Sequence, residues 1–237
     1  GTPFASYFLY PKKDQHLDSL SGQLYEYVAN GAKFLHSSGK YSMLGNGGGT
    51  GEESLDVLLV MQGKNPFPLH PDRAEGGDFI RKGAIQLIPS ALNVGSNAHG
   101  DSYGQVGWEN YYGKGSTWIR RTVLTREGFL IVSDTYIPSS QIGADYLGGP
   151  IWHLAREDGQ KDGPRKESWF DAPAFEHAWW QKSRQRIRLT LHPSKDLKFG
   201  QIRQKASQDR DPNITSYAYR PVTPGKPARF LSVFTPY

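Results

Sequence analysis

The stretch TWIRRTVLTREGFLIVSDTYIP, residues 117–138, narrows the folds open to this chain more than any other. Two apolar runs flank an Arg-Glu-Gly hinge, and both are rich in the β-branched and aromatic residues that strands prefer. With a period of two, Trp118, Arg120 and Thr122 share one face, while Ile119, Arg121 and Val123 share the other. The unbroken apolar run FLIV asks for cover on both faces, which makes this hairpin a central element. Around it, short apolar segments are interrupted every few residues by Gly, Pro, Asn and Ser, with no alternation of strands and helices. The expected fold is therefore all-β: an antiparallel two-sheet β-sandwich with long loops and at most one or two short helices. A chain of 237 residues can build one substantial core, so residues 1–237 are expected to form a single sandwich domain.

The other segments are read the same way. DSLSGQLYEYVANG places Leu17, Leu20, Leu24, Tyr27 and Val28 on a helical stripe ending at Asn30-Gly31, although LYEYV also alternates as a strand; helix is the expectation here. KFLHSSGKYSML reads as two short strands around Ser-Gly, and GNGGGTG as a loop. SLDVLLVMQG is a buried strand, whereas the three prolines of NPFPLHP remove donors that a ladder needs. Residues 155–178 form a long polar excursion. Beyond it QRIRLTLHP alternates, with Ile187, Leu189 and Leu191 inward and Arg186, Arg188 and Thr190 outward, and ARFLSVFTPY supplies a last strand.

Composition excludes several chemistries. The absence of cysteine removes disulfides, thiolate nucleophiles and Cys-ligated zinc. No apolar stretch approaches the roughly 20 residues of a membrane span, so no membrane partner is expected. The chain does not begin with Met, and a processed form, a fragment or a tagged form of a larger protein is expected, with any export signal removed and a secreted or periplasmic location. The net charge of +5 is concentrated in residues 182–210, which hold nine Lys or Arg against Asp196 and Asp209. Such a strip is ordinarily the solvated face of strands, but it can attract a polyanion. No nucleic-acid-binding signature accompanies it, and nucleic acid is not the expected partner.

Familiar catalytic motifs are missing. GNGGGTG lacks the Gly-Lys-Ser/Thr of a phosphate loop, and neither a Gly-x-Ser-x-Gly elbow nor His-Glu-x-x-His occurs. Aromatic and basic clusters remain. YGQVGWENYYGKGSTW carries Tyr103, Trp108, Tyr111, Tyr112 and Trp118, and GGPIWHL adds Trp152 and His153. Rings that combine apolar area with a polar edge suit either a core or a sugar-binding groove. His153 is ordinarily a packed, hydrogen-bonded histidine, and functionally a general base. His99 and Asp101 in NAHGDSYG are either a capped turn or two ligands of a metal; no cofactor is required, although a divalent metal fits the pair. His177 and His192 carry less information. Asp134 lies within reach of Arg120 or Arg121 across the hairpin, so a structural ion pair competes with an arginine that grips a substrate carboxylate.

WIRRTVLTREGFLIVSDTYIP followed by GGPIWHL resembles the β-sandwich region of heparinase II/III-like polysaccharide lyases, and SLDVLLVMQGKNPFPLHPD resembles that family's Asp-containing strand and Pro-Asp turn. The resemblance spans residues 50–155. It departs from the family at GGGTGEESLD, where histidines are usual, and there is no length for the α/α-toroid that precedes the sandwich. It implies a polysaccharide lyase, or its sandwich domain, that cleaves a uronate-containing glycan by β-elimination beside a helical domain or second chain. For that chemistry Arg120 or Arg121 would neutralise the carboxylate, His153 or His99 would act as base, and Tyr103 or Tyr112 as acid. Trp108, Trp118, Tyr103, Trp152 and Arg121 would bind the acidic polysaccharide. A non-catalytic carbohydrate-binding sandwich is the alternative. A glycoside hydrolase would draw on Glu52, Glu53, Asp56 and Glu109, whose spacing singles out no pair.

Overall fold

The computed structural model describes residues 2–8, 23–36, 58–62, 91–111, 115–143, 146–155, 168–169, 175–180, 186–192, 196–204 and 213–237, and at some strand positions, His153 among them, only the backbone. Within these residues every regular element is a strand. In chain order they are β1 (Phe4–Phe8), β2 (Gln23–Ala29), β3 (Ala32–His36), β4 (Leu58–Gln62) and β5 (Ala91–Ser96). Next come β6 (Ser102–Tyr111), β7 (Ser116–Leu124), β8 (Leu130–Ile137), β9 (Tyr146–Ala155) and β10 (Ser168–Trp169). The last are β11 (Phe175–Trp180), β12 (Arg186–Leu191), β13 (Lys198–Gln204), β14 (Asn213–Pro221) and β15 (Ala228–Pro236). GNGGGTG, NPFPLHP, Glu52, Glu53, Asp56, Tyr112 and much of the basic strip lie outside the described residues.

The strands form two antiparallel sheets. One runs β1-β2-β3-β9-β14-β13, with β4 also pairing to β9; the other runs β10-β11-β12-β15-β8-β7-β6-β5. Leu24, Tyr27, Leu35, Trp152 and Leu154 of the first sheet pack against Leu130, Val132, Ile187, Leu189 and Phe234 of the second. This is the expected all-β sandwich. The opening hairpin is central: β7 and β8 sit inside the larger sheet, and Gly128 N–H donates to the Thr125 carbonyl at 2.9 Å in the turn over Arg126, Glu127 and Gly128. Ile187, Leu189 and Leu191 point inward and Arg188 outward, as alternation predicts.

Over its described part the helix expected across Leu17–Val28 is corrected by β2, Leu17 and Leu20 lying outside the described residues. Leu24 and Tyr27, three apart, both face the core, a spacing that mimics a helical stripe. Its cause is a β-bulge: Ser6 pairs with Glu26 and Tyr7 with Leu24, leaving Tyr25 as an extra residue that resets the phase of alternation. A second bulge, in β3, brings Phe34 and Leu35 into the core together. Asn30-Gly31 does not stop a helix. Both residues have positive φ, 52° and 76°, between the paired Ala29 and Ala32, which is the two-residue turn whose twist matches a hairpin.

Gly31→Val should therefore cost about 1–2 kcal/mol, because a β-branched residue resists the left-handed region. Asn30→Gly should stay within a few tenths, since glycine also accepts positive φ. Urea unfolding of the two variants checks both; equal midpoints would refute the turn assignment.

Candidate functional site

Alternation along β6, β7 and β8 divides the sequence-selected residues between the two faces of one sheet. Ser116, Trp118, Arg120 and Thr122 of β7 are buried, and the intervening positions are more open. Trp118 lies directly opposite Trp108 on β6, and the indoles stack at 3.9 Å with 11° between planes. A bulge between Trp108 and Tyr111 turns Tyr111 inward as well. Its hydroxyl donates to the Leu58 carbonyl at 2.6 Å, which ties β6 to β4 of the other sheet.

Arg120 pairs across the hairpin with Asp134, as the ion-pair reading predicts. Nε donates to Oδ1 at 2.8 Å and Nη2 to Oδ2 at 3.0 Å, while Trp118 Nε1 also donates to Oδ1 at 2.7 Å. The guanidinium carbon lies 4.8 Å from the Trp118 ring centroid and 4.6 Å from that of Trp152, which arrives from β9 of the opposite sheet. Trp152 Nε1 donates to Ser232 Oγ of β15 at 2.9 Å, and its ring meets Phe234 edge-on. Arg120 is 0% exposed, and Trp108, Trp118 and Trp152 are sealed with it. A role at a substrate for any of these four would require the sandwich to open, because each presents its polar edge or ring face to another part of the core.

Two buried phenols border this cluster. Tyr136 donates to Ser116 Oγ at 3.0 Å, and loss of hydration on burial pushes its pKa from 10.0 to about 12. Burial raises that of Tyr27 further, and its hydroxyl donates to the Gly128 carbonyl across the sheets.

Other selected residues reach the surface. Tyr103 is 48% exposed on the outward face, and Arg121, also outward, donates from Nε to Gln105 Oε1 at 2.7 Å. Tyr103 and Arg121 are diagonal neighbours on that face. His99 lies exposed in the β5–β6 turn, where Asn97 Oδ1 accepts from the backbone N–H groups of His99 and Asp101 at 2.9 and 3.0 Å. Asp101 Oδ2 accepts from Asn97 Nδ2 and its Oδ1 from Arg126 N–H, so the carboxylate caps the turn. The Asn97 amide, then the Arg126 N–H, hold its pKa below the usual value. Among the described residues no group of three or more His, Asp or Glu is placed to hold a metal. His153 pairs through its backbone with Thr215 in β9, its side chain lying outside the description, as does all of Tyr112. Sequence reasoning passed over Gly95 and Gln105, which only their register beside Tyr103 and Arg121 marks, and Ser232, which only its hydrogen bond from Trp152 marks; neither register nor a contact between sheets is written in spacing alone.

No protein-family model and no curated protein sequence matches this chain. Solved structures do. A heparinase III gene product superposes with a TM-score of 0.64 over 97% of this chain and 32% of its own, at 11% identity. The heparan sulfate lyase HepC from Pedobacter heparinus superposes with a TM-score of 0.60 over 92% of this chain and 30% of its own, at 10% identity. A further heparinase III gives 0.58 over 92% and 29%, at 14% identity. The chain thus spans about a third of the length of the structures it matches.

Asp134→Ala should destabilise the fold by roughly 3–5 kcal/mol, because it strands the Arg120 charge in the core. The double change Arg120→Met with Asp134→Leu should cost distinctly less, and chemical denaturation compares the two. For Tyr136, the folded pKa stands above the unfolded one, so its contribution to stability is complete below pH 10 and is lost as pH rises toward 12. Tyr136→Phe should lose about 1 kcal/mol at neutral pH with the Ser116 hydrogen bond, yet show a shallower decline across that alkaline window. Unfolding midpoints measured from pH 8 upward test this.

Proposed function

We propose, from the premise that this chain folds as a heparinase III-like β-sandwich, that it is the sandwich portion of a polysaccharide lyase cleaving an acidic, uronate-containing glycan of the heparan sulfate type. The observation that carries the reading is the likeness over nearly the whole chain to about a third of heparan sulfate lyases. In β-elimination a cation or amide neutralises the uronate carboxylate, which acidifies the neighbouring proton. A base then removes that proton and an acid protonates the leaving oxygen. Arg120 is committed to Asp134. Arg121, His99 and Tyr103 are open to solvent, and His153 and Tyr112 complete the set from which this chain would contribute. A further helical domain or second chain would supply the rest of the machinery. A polymer of this size would be met outside the cytoplasm, so a secreted or periplasmic location belongs to the same proposal. No cofactor is needed for the elimination itself.

The second reading is a non-catalytic carbohydrate-binding sandwich: burial of Arg120 removes one candidate for carboxylate neutralisation, while Tyr103 and Arg121 stay exposed for binding. The complete product of the encoding gene and this chain alone, each incubated with heparan sulfate, alginate and pectin, separate the two. Ultraviolet-absorbing unsaturated ends are expected from the complete product on heparan sulfate, with little or none from the chain alone. Binding without product from either would favour the module, and reducing ends without that absorbance would sink the elimination in favour of hydrolysis.

A further inference from the structure

The outward face of β6 carries an arrangement that core packing does not account for. Tyr103 pairs across the ladder with Gly95 of β5. A Cβ built on Gly95 would lie 2.4 Å from the Tyr103 hydroxyl oxygen and 2.6 and 2.8 Å from ring carbons Cζ and Cε1. Any larger residue at 95 would therefore displace the ring, and glycine lets it reach over the β5 backbone while the residue stays 48% exposed. One rung along, the Arg121 Nε to Gln105 Oε1 hydrogen bond aims the guanidinium along the same face. Diagonal neighbours of this kind stand roughly 7–8 Å apart, within reach of a long side chain. Asn93 and Ser133 flank the Gln105–Arg121 rung, so no acidic residue occupies it, and Arg121 makes no ion pair among the described residues.

We propose that this outer-face patch is a glycan subsite: one anionic sugar residue stacks on Tyr103 and gives carboxylate or sulfate oxygens to Arg121. The proposal rests on the acidic-glycan reading above and adds the place where the polymer is held. A ring already seated over Gly95 loses little freedom on binding, and a guanidinium steered by an amide meets an oxyanion in bidentate fashion. Both stand on strands of a rigid sheet rather than on loops. Adjacent arginines thereby take opposite duties: Arg120 holds the core, and one residue later Arg121 faces solvent.

The test is calorimetric titration of this chain with size-defined heparan sulfate oligosaccharides, alongside carboxyl-reduced and desulfated forms. Tyr103→Ala and Gly95→Ala should each weaken binding about tenfold, the second by displacing a ring that is still present, while Tyr103→Phe should retain it. Arg121→Gln should weaken it by a similar factor, and Arg229→Gln, the same charge loss at an outward position of β15, by less than about twofold. Unchanged circular-dichroism spectra and urea midpoints establish that the variants fold. Loss of affinity for the carboxyl-reduced form assigns the anion to a uronate, and loss for the desulfated form to a sulfate; equal affinity for all three forms overturns the anion contact. The subsite also falls if Arg229→Gln costs as much as Arg121→Gln, if Gly95→Ala has no effect, or if the chain binds none of the oligosaccharides. Variant-dependent binding with no unsaturated product from the complete gene product would keep the subsite and refute the lyase; product with affinities indifferent to these changes would do the reverse.

Discussion

The Arg120–Asp134 pair, clamped between Trp118 and Trp152, is the contact on which the sandwich depends. Two opposite charges removed from water stabilise a fold only where their remaining donors and acceptors are met. Here the Asp134 carboxylate accepts from the guanidinium at both oxygens and from the Trp118 indole as well. Because Trp152 belongs to the other sheet and bonds back to Ser232, one cluster joins β7, β8, β9 and β15. It also locks register. A slip of one residue between β7 and β8 would send Arg120 or Asp134 to the outward face and leave the other charge buried alone.

Around that centre the sheets are held by a few polar bolts and by controlled departures from regular alternation. Tyr27 reaches the β7–β8 turn, and Tyr111 reaches β4, each a phenol donating to a backbone carbonyl of the opposite layer or its connecting turn. Both tyrosines arrive there because a bulge shifts the phase of their strand. The extra residue in β6 lets Trp108 and Tyr111 share the inward face although three positions separate them. Local irregularity in the ladder thus builds the aromatic layer that encloses the ion pair.

The same two-residue period that fills the core also furnishes the surface. Residues one step out of phase, Tyr103, Gln105 and Arg121, emerge on the outer side of the strands whose inward residues are packed tightest. A platform mounted in this way inherits the rigidity of the interior without disturbing it. The chain that carries this arrangement corresponds to about a third of the length of the structures it resembles.

The all-β class, the central hairpin, the inward set of β12 and the pairing of Asp134 with an arginine were legible in the sequence, because each follows from contacts two residues apart or across one short turn. Helix was the wrong reading for Leu24 and Tyr27, since a bulge depends on the neighbouring strand β1, which no local pattern announces. Which of the adjacent arginines would be buried was equally hidden: alternation separates Arg120 from Arg121 but does not say which face meets the second sheet. Only the arrival of Trp152 from β9 decides that, and with it which aromatic rings are core and which remain open. Local chemistry determined strands, turns and the charge pair; the face each residue serves was settled by long-range packing, because burial is a property of two layers together.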